Sequence, residues 1–186
     1  HMHHLQDETE QDPEQRRRFR RDLRARYPQL WRGGFPKIPP APAGPVLETI
    51  GGTVPPRQPD EPPRILLVAP WLALGGADRF NLNLTQQLSA RGWRVSIATT
   101  LEHPDPWRQA FAGHTSDIFS LPKFLTPEYQ PAFLRYLIES RSIDAVLVSN
   151  SMVGYACLSY LRAHCPQTAF LDYNHMVVTE WLNGGF

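Results

Sequence analysis

Residues 64–100 read RILLVAPWLALGGADRFNLNLTQQLSARGWRVSIATT, and this stretch decides the fold. Ile65 to Ala69 is an unbroken apolar run of strand length, the pattern of a strand buried on both faces, as a parallel sheet requires. From Gly76 to Arg91, Ala77, Phe80, Leu84 and Leu88 recur at spacings of three and four, so one apolar helix face is expected, with Gly92 as its stop. Val95 to Thr99 supplies the second strand.

The same texture continues downstream. Asp117 to Ser120 is a weak third strand, after a polar region around Trp107 with room for a short helix. Pro127 opens a helix whose buried stripe is Phe133, Leu134, Leu137 and Ile138; DAVLVS (144–149) is the next strand and Met152 to His164 the next helix. Thr168 to Leu171 closes the series. The alternation predicts one doubly wound, mostly parallel α/β sheet over residues 64–186, with strands near 65–69, 95–99, 117–120, 145–148 and 168–171.

Upstream the chain changes character. Ten of its 19 prolines fall between Pro36 and Pro63, a density that no helix or central strand carries, so residues 36–63 read as a linker. Within it, Val46, Leu47 and Ile50 are the only apolar cluster that could dock. Residues 5–35 form a charged arm. Five acids between Asp7 and Glu14 precede seven arginines between Arg16 and Arg26, with Phe19, Leu23, Tyr27 and Leu30 at helical spacing, so a short amphipathic helix ending near Pro28 is expected. Its acids offset its arginines, which favours a solvated or docking helix over one that binds lipid or nucleic acid. His1 to His4 look like a tag remnant.

The whole chain carries a formal charge of +1 over 186 residues, so no strong overall field selects nucleic acid or an anionic membrane. No apolar run reaches the roughly 18–20 residues of a spanning helix. Cys157 and Cys165 lie eight positions apart on one expected helix, about 12 Å between α-carbons, too far to pair. Two thiols without a disulfide framework fit a reducing cytoplasm, so the expected location is cytoplasmic, with any membrane contact peripheral and at the inner face.

In a doubly wound sheet, ligands bind beyond the carboxyl ends of the strands. After the first strand, Gly75 and Gly76 precede a helix, where backbone can approach a ligand closely and free N–H groups favour an anion; a plain loop with a glycine start is the competing reading. The loop lacks the third glycine of the dinucleotide fingerprint, leaving Glu102 as the only candidate ribose carboxylate, and no Gly-Lys-Ser/Thr makes it a P-loop. After the fourth strand, Ser149, Asn150 and Ser151 offer hydrogen bonds to a sugar or phosphate, although Ser151 equally suits a helix N-cap. After the fifth come Asp172, Tyr173, Asn174 and His175, the histidine expected to face the Gly75–Gly76 loop across the cleft mouth. His103, His114 and His164 show no paired ligand spacing, so no metal site is expected.

Taken together, residues 64–100 and the later stretch DAVLVSNSMVGYACLSYLRAHCPQTAFLDYNHMV resemble the N-terminal domain of glycosyltransferase family 4 (group 1) enzymes. There, a first strand leads to a Gly-Gly-Ala-Glu-like loop, a helix, Arg-Gly-His-x-Val and the second strand, and the fifth strand ends in a histidine. Here Asp78 stands where that family usually has Glu, and Trp93 where it often has His. The resemblance covers nearly all of residues 64–182 and none of the arm.

It implies a Rossmann-like sheet forming the acceptor-side half of a GT-B enzyme, with the donor-binding C-terminal domain of the same chain absent. The implied reaction is retaining transfer of a hexosyl group from a nucleoside-diphosphate sugar to a glycan or lipid-linked acceptor in cell-surface or exopolysaccharide synthesis, with no metal or other cofactor. Gly75 and Gly76 would then meet the donor diphosphate, His175 the transferred sugar as the catalytic-site residue, and Asn150, Ser151 and Asn174 the acceptor or sugar. Two other classes compete: a non-catalytic Rossmann module for binding or assembly, and a nucleotide-dependent oxidoreductase domain.

Overall fold

The computed structural model describes residues 21, 25, 45–49, 52, 58 and 60–175. The sheet lies within one compact unit, Ile38–Val178. Its five strands are β1 (Arg64–Ala69), β2 (Arg94–Thr99), β3 (Ile118–Ser120), β4 (Ala145–Ser149) and β5 (Ala169–Tyr173). They are all parallel, in the order β3-β2-β1-β4-β5. The helices are α1 (Val46–Thr49), α2 (Gly76–Ala90), α3 (Arg108–Ala112), α4 (Gln130–Ser140) and α5 (Met152–His164). This is the Rossmann-like α/β architecture expected from the alternation of apolar runs with helical stripes.

Handedness distributes the helices. Right-handed crossovers outward from β1 put α2 and α3 on one face; the return from β3 to β4, and on to β5, puts α4 and α5 on the other. The contacts follow, α2 with α3 and α4 with α5. On the first face Ile65, Leu67, Val95, Ile97, Ile118, Ala145 and Leu147 pack with Leu72 and Phe111. On the second, Gly154 of α5 lies against Val68 and Val148, while Leu66, Val146, Leu134, Leu137 and Leu161 are fully buried.

Several expectations need correction. The most buried residues of α2 are Asp78, Asn81 and Thr85, whereas Leu82, Leu84 and Leu88 are only partly buried. The leucines still pack against the core, but the residues that the helix buries most fully are polar. β5 begins at Ala169 and runs to Tyr173, so Asp172 and Tyr173 belong to the strand and only Asn174 and His175 follow it. The helix expected from Pro127 starts as a 3-10 turn, Pro127–Tyr129, before α4. Within the proline-rich stretch, Val46 is buried and α1 packs on α4, so part of the cluster that could dock does so; Ile50 lies outside the described residues. Most of the arm and of the linker, and the C-terminal residues after His175, lie outside the described residues; Arg21 and Ala25 are helical and exposed. Cys157 and Cys165 are both free and buried. No helix among the described residues is long and apolar enough to cross a membrane.

Candidate functional site

β1 and β4 are neighbours, yet the chain leaves β1 in one direction and β4 in the other, so the sheet's topological switch point lies between their carboxyl ends. The loops after β1, β4 and β5 converge there. Gly75 is the N-cap of α2 in extended backbone and has no side chain of its own to cap the helix, while the Asp78 carboxyl in the first turn accepts its own backbone N–H. The two glycines differ. A Cβ on Gly75 would lie 3.2 Å from Asp78 Oδ2, whereas a Cβ on Gly76 would meet nothing within 4 Å. The fold has a steric use for the first glycine and none for the second.

His175 stands at the same edge. Its Nε2 is 3.1 Å from Ser149 Oγ at the end of β4, and its backbone N–H donates to Asn150 Oδ1 at 2.9 Å. Asn150 itself holds φ +51, a left-handed conformation that asparagine tolerates better than most residues. Phe80, one turn into α2, touches the imidazole edge-on at 5.1 Å between ring centroids and stacks on Tyr173 at 4.4 Å; Tyr173 and His175 meet at 4.3 Å. The three rings tie α2 to the end of β5. Partial burial holds the His175 pKa below its usual value, so the ring is neutral at pH 7 and offers one N–H and one lone pair.

The other residues expected in the site divide. Ser151 is fully buried; its hydroxyl caps α5 by accepting the Gly154 N–H at 3.0 Å and lies 2.7 Å from Thr100 Oγ1. It supports the fold and is closed to an acceptor, the N-cap role that its sequence position also suited. Asn174 is exposed beside His175, and Glu102 is exposed in the loop beyond β2. Tyr155 of α5 donates to Asp172 at 2.8 Å; burial, then this carboxylate, raise its pKa.

Two acids lie under the glycine loop: Asp78, noted in the sequence only as a departure from the resembled family's Glu, and Asp105, which the sequence did not single out. Asp105 Oδ1 accepts the Leu72 N–H at 3.0 Å and Asp78 Oδ1 the Ala73 N–H at 3.3 Å. Burial pushes the Asp78 carboxyl up to about 6. The available signals were the Pro104-Asp105-Pro106 sequence, which stiffens the chain around an acid, and an acid two residues past a Gly-Gly helix start. Among the described residues no group of three or more His, Cys, Asp or Glu side chains is placed to hold a metal ion. A groove of about 470 Å³ lies at the opposite, amino edge, lined by Trp93, Arg94, His114 and the Asp117–Arg141 ion pair among others. Comparison with protein-family models, curated proteins and solved structures gave no match.

Proposed function

We propose that this chain is the acceptor-side half of a GT-B hexosyltransferase that moves a sugar, with retention, from a nucleoside diphosphate to a glycan or lipid-linked acceptor. One juxtaposition carries the reading: a glycine-opened helix N-terminus and a neutral histidine share the sheet's carboxyl edge at its switch point, joined through Phe80. The motif resemblance to glycosyltransferase family 4 supports the same assignment.

The chemistry follows from the parts. Backbone N–H groups at Gly75 and Gly76 would stabilise the charge that builds on a leaving diphosphate. His175 would hydrogen-bond the transferred sugar, with Ser149 fixing its tautomer and Asn150 holding its backbone. Asn174 would face the acceptor. A second domain of the same polypeptide would hold the nucleotide.

Amide NMR of the 186-residue chain with inorganic pyrophosphate tests this. Shifts confined to Gly75, Gly76, Ala77 and their neighbours are expected, with no turnover of nucleotide sugars by this half alone; unmoved amides at millimolar pyrophosphate would refute the assignment. In the two-domain enzyme, His175→Ala should slow turnover about 30-fold to a thousandfold, the effect of losing one preorganised donor, with little change in Tm.

A further inference from the structure

We propose that Asp78 and Asp105 work as one clamp on the Pro70–Gly75 loop, in which Asp105 is the fixed jaw and Asp78 is a positioning residue whose proton sets how firmly the loop is held. The loop has no regular structure of its own, and two consecutive amides, those of Leu72 and Ala73, donate to carboxylates from two different segments. Both acids are more than nine-tenths buried, at 4% exposure for Asp105 and 8% for Asp78. Buried acids that both bond one loop define its shape far more tightly than solvent-facing ones.

The jaws differ in their surroundings. Asp105 holds φ +52 between two prolines, and its Oδ2 accepts from Ser120 Oγ at 2.8 Å with Lys123 Nζ at 3.8 Å. Arg108 of α3 reaches Ser120 Oγ at 3.3 Å, and His103 Nδ1 accepts the Asp105 N–H at 3.1 Å. Hydrogen bonds to both of its oxygens hold this carboxylate in place. Among the described residues no cation is shown acting on Asp78: the charge acting on it is that of Asp105, of the same sign, and Arg79 beside it on α2 is exposed. Burial and this repulsion both raise its pKa, to about 6. A charged Asp78 accepts the Ala73 N–H strongly; a protonated one accepts it weakly and no longer repels Asp105, so the Ala73 end of the loop loosens while the Leu72 end stays fixed.

The consequence for ligand binding rests on the function proposed above. An ionised Asp78 in the first turn of α2 places negative charge beside the amides offered to the diphosphate, so Asp78→Asn should bind pyrophosphate several-fold more tightly at pH 7.

The test follows amide and indole NMR signals of the full chain from about pH 4.5 to 8, a range that spans the raised Asp78 value of about 6 and the usual histidine value of about 6.5. Ala73 should titrate with a midpoint near 6, and Leu72 should not. His103 also loses its proton below its usual pKa and its ring lies 5.5 Å from that of Trp71, so it is the rival source of any transition. The Ala73 transition should vanish in Asp78→Asn, whose amide oxygen still accepts a hydrogen bond, and persist in His103→Gln. The reverse pattern, or a Leu72 amide that titrates with Ala73, would overturn the clamp. Should Asp78→Asn not fold, the side-chain carboxyl signal of Asp78 in the wild type decides, because a midpoint different from that of Ala73 refutes the coupling. Pyrophosphate keeps the two readings apart. If the Ala73 pattern holds and neither protein binds it, the clamp stands and the donor reading falls; if both bind it equally and Ala73 does not titrate, the clamp falls.

Discussion

Replacing Gly154 by alanine should destabilise the protein, although alanine is the better helix former. Gly154 lies in the first turn of α5, its N–H on the Ser151 cap. A Cβ there would stand 2.9 Å from Val148 Cγ1, 3.0 Å from Val68 Cγ1 and 3.1 Å from Ser151 Cβ. All three distances are shorter than the roughly 3.5–4.0 Å of a comfortable carbon contact. None of the neighbours yields easily. Val68 and Val148 are fully buried on adjacent central strands and are stiff at χ1, and Ser151 is held by its cap and by Thr100. The helix must therefore back away from the sheet. Alanine gains up to about 1 kcal/mol over glycine in intrinsic helix propensity, whereas overpacking a tight core costs about 1–3 kcal/mol. Three simultaneous clashes place this site in the upper part of that range, for a net loss of about 1–2 kcal/mol. Calorimetry should show Tm falling by roughly 3–10 °C for a domain of this size. Truncating Val148 to alanine in the same chain should make the Gly154 change less costly. An unchanged or higher Tm for Gly154→Ala would refute the claim that α5 approaches the sheet this closely.

Asp78→Asn should stabilise the fold in a pH-dependent way: because the folded-state pKa of about 6 exceeds the ordinary aspartate value of 3.8, the native state binds the extra proton and wild-type stability falls as pH rises between them. Thermal melts should therefore show no advantage for the variant below about pH 4 and an advantage of about 1–2 kcal/mol above pH 7, after a discount for solvent screening; an advantage at low pH alone would contradict the sign. Gly76→Ala, with open space around its Cβ, should leave Tm unchanged or raise it by a few degrees while weakening pyrophosphate binding, as melts and amide titrations on one sample would show.

The parallel sheet was legible in the sequence because strands buried on both faces must be mostly apolar, as the Ile65–Ala69 and Ala145–Val148 runs are throughout and Val95–Thr99 is apart from Ser96 and Thr99. The Gly75–Gly76 start, Asn150 and His175 were legible as strand-end residues for the same reason: ligand sites of such sheets lie beyond the carboxyl ends. The interior face of α2 was not. Helical periodicity marks where the leucines are, but contacts made only in the folded chain, such as that of Asp78 with the loop after β1, decided that Asp78, Asn81 and Thr85 would be most buried. Nor could spacing bring Asp105 under a loop 33 positions earlier or set Phe80 against Tyr173 and His175. Those contacts depend on strand order and crossover handedness, which place β1 beside both β2 and β4, and a linear pattern carries no record of which strands become neighbours.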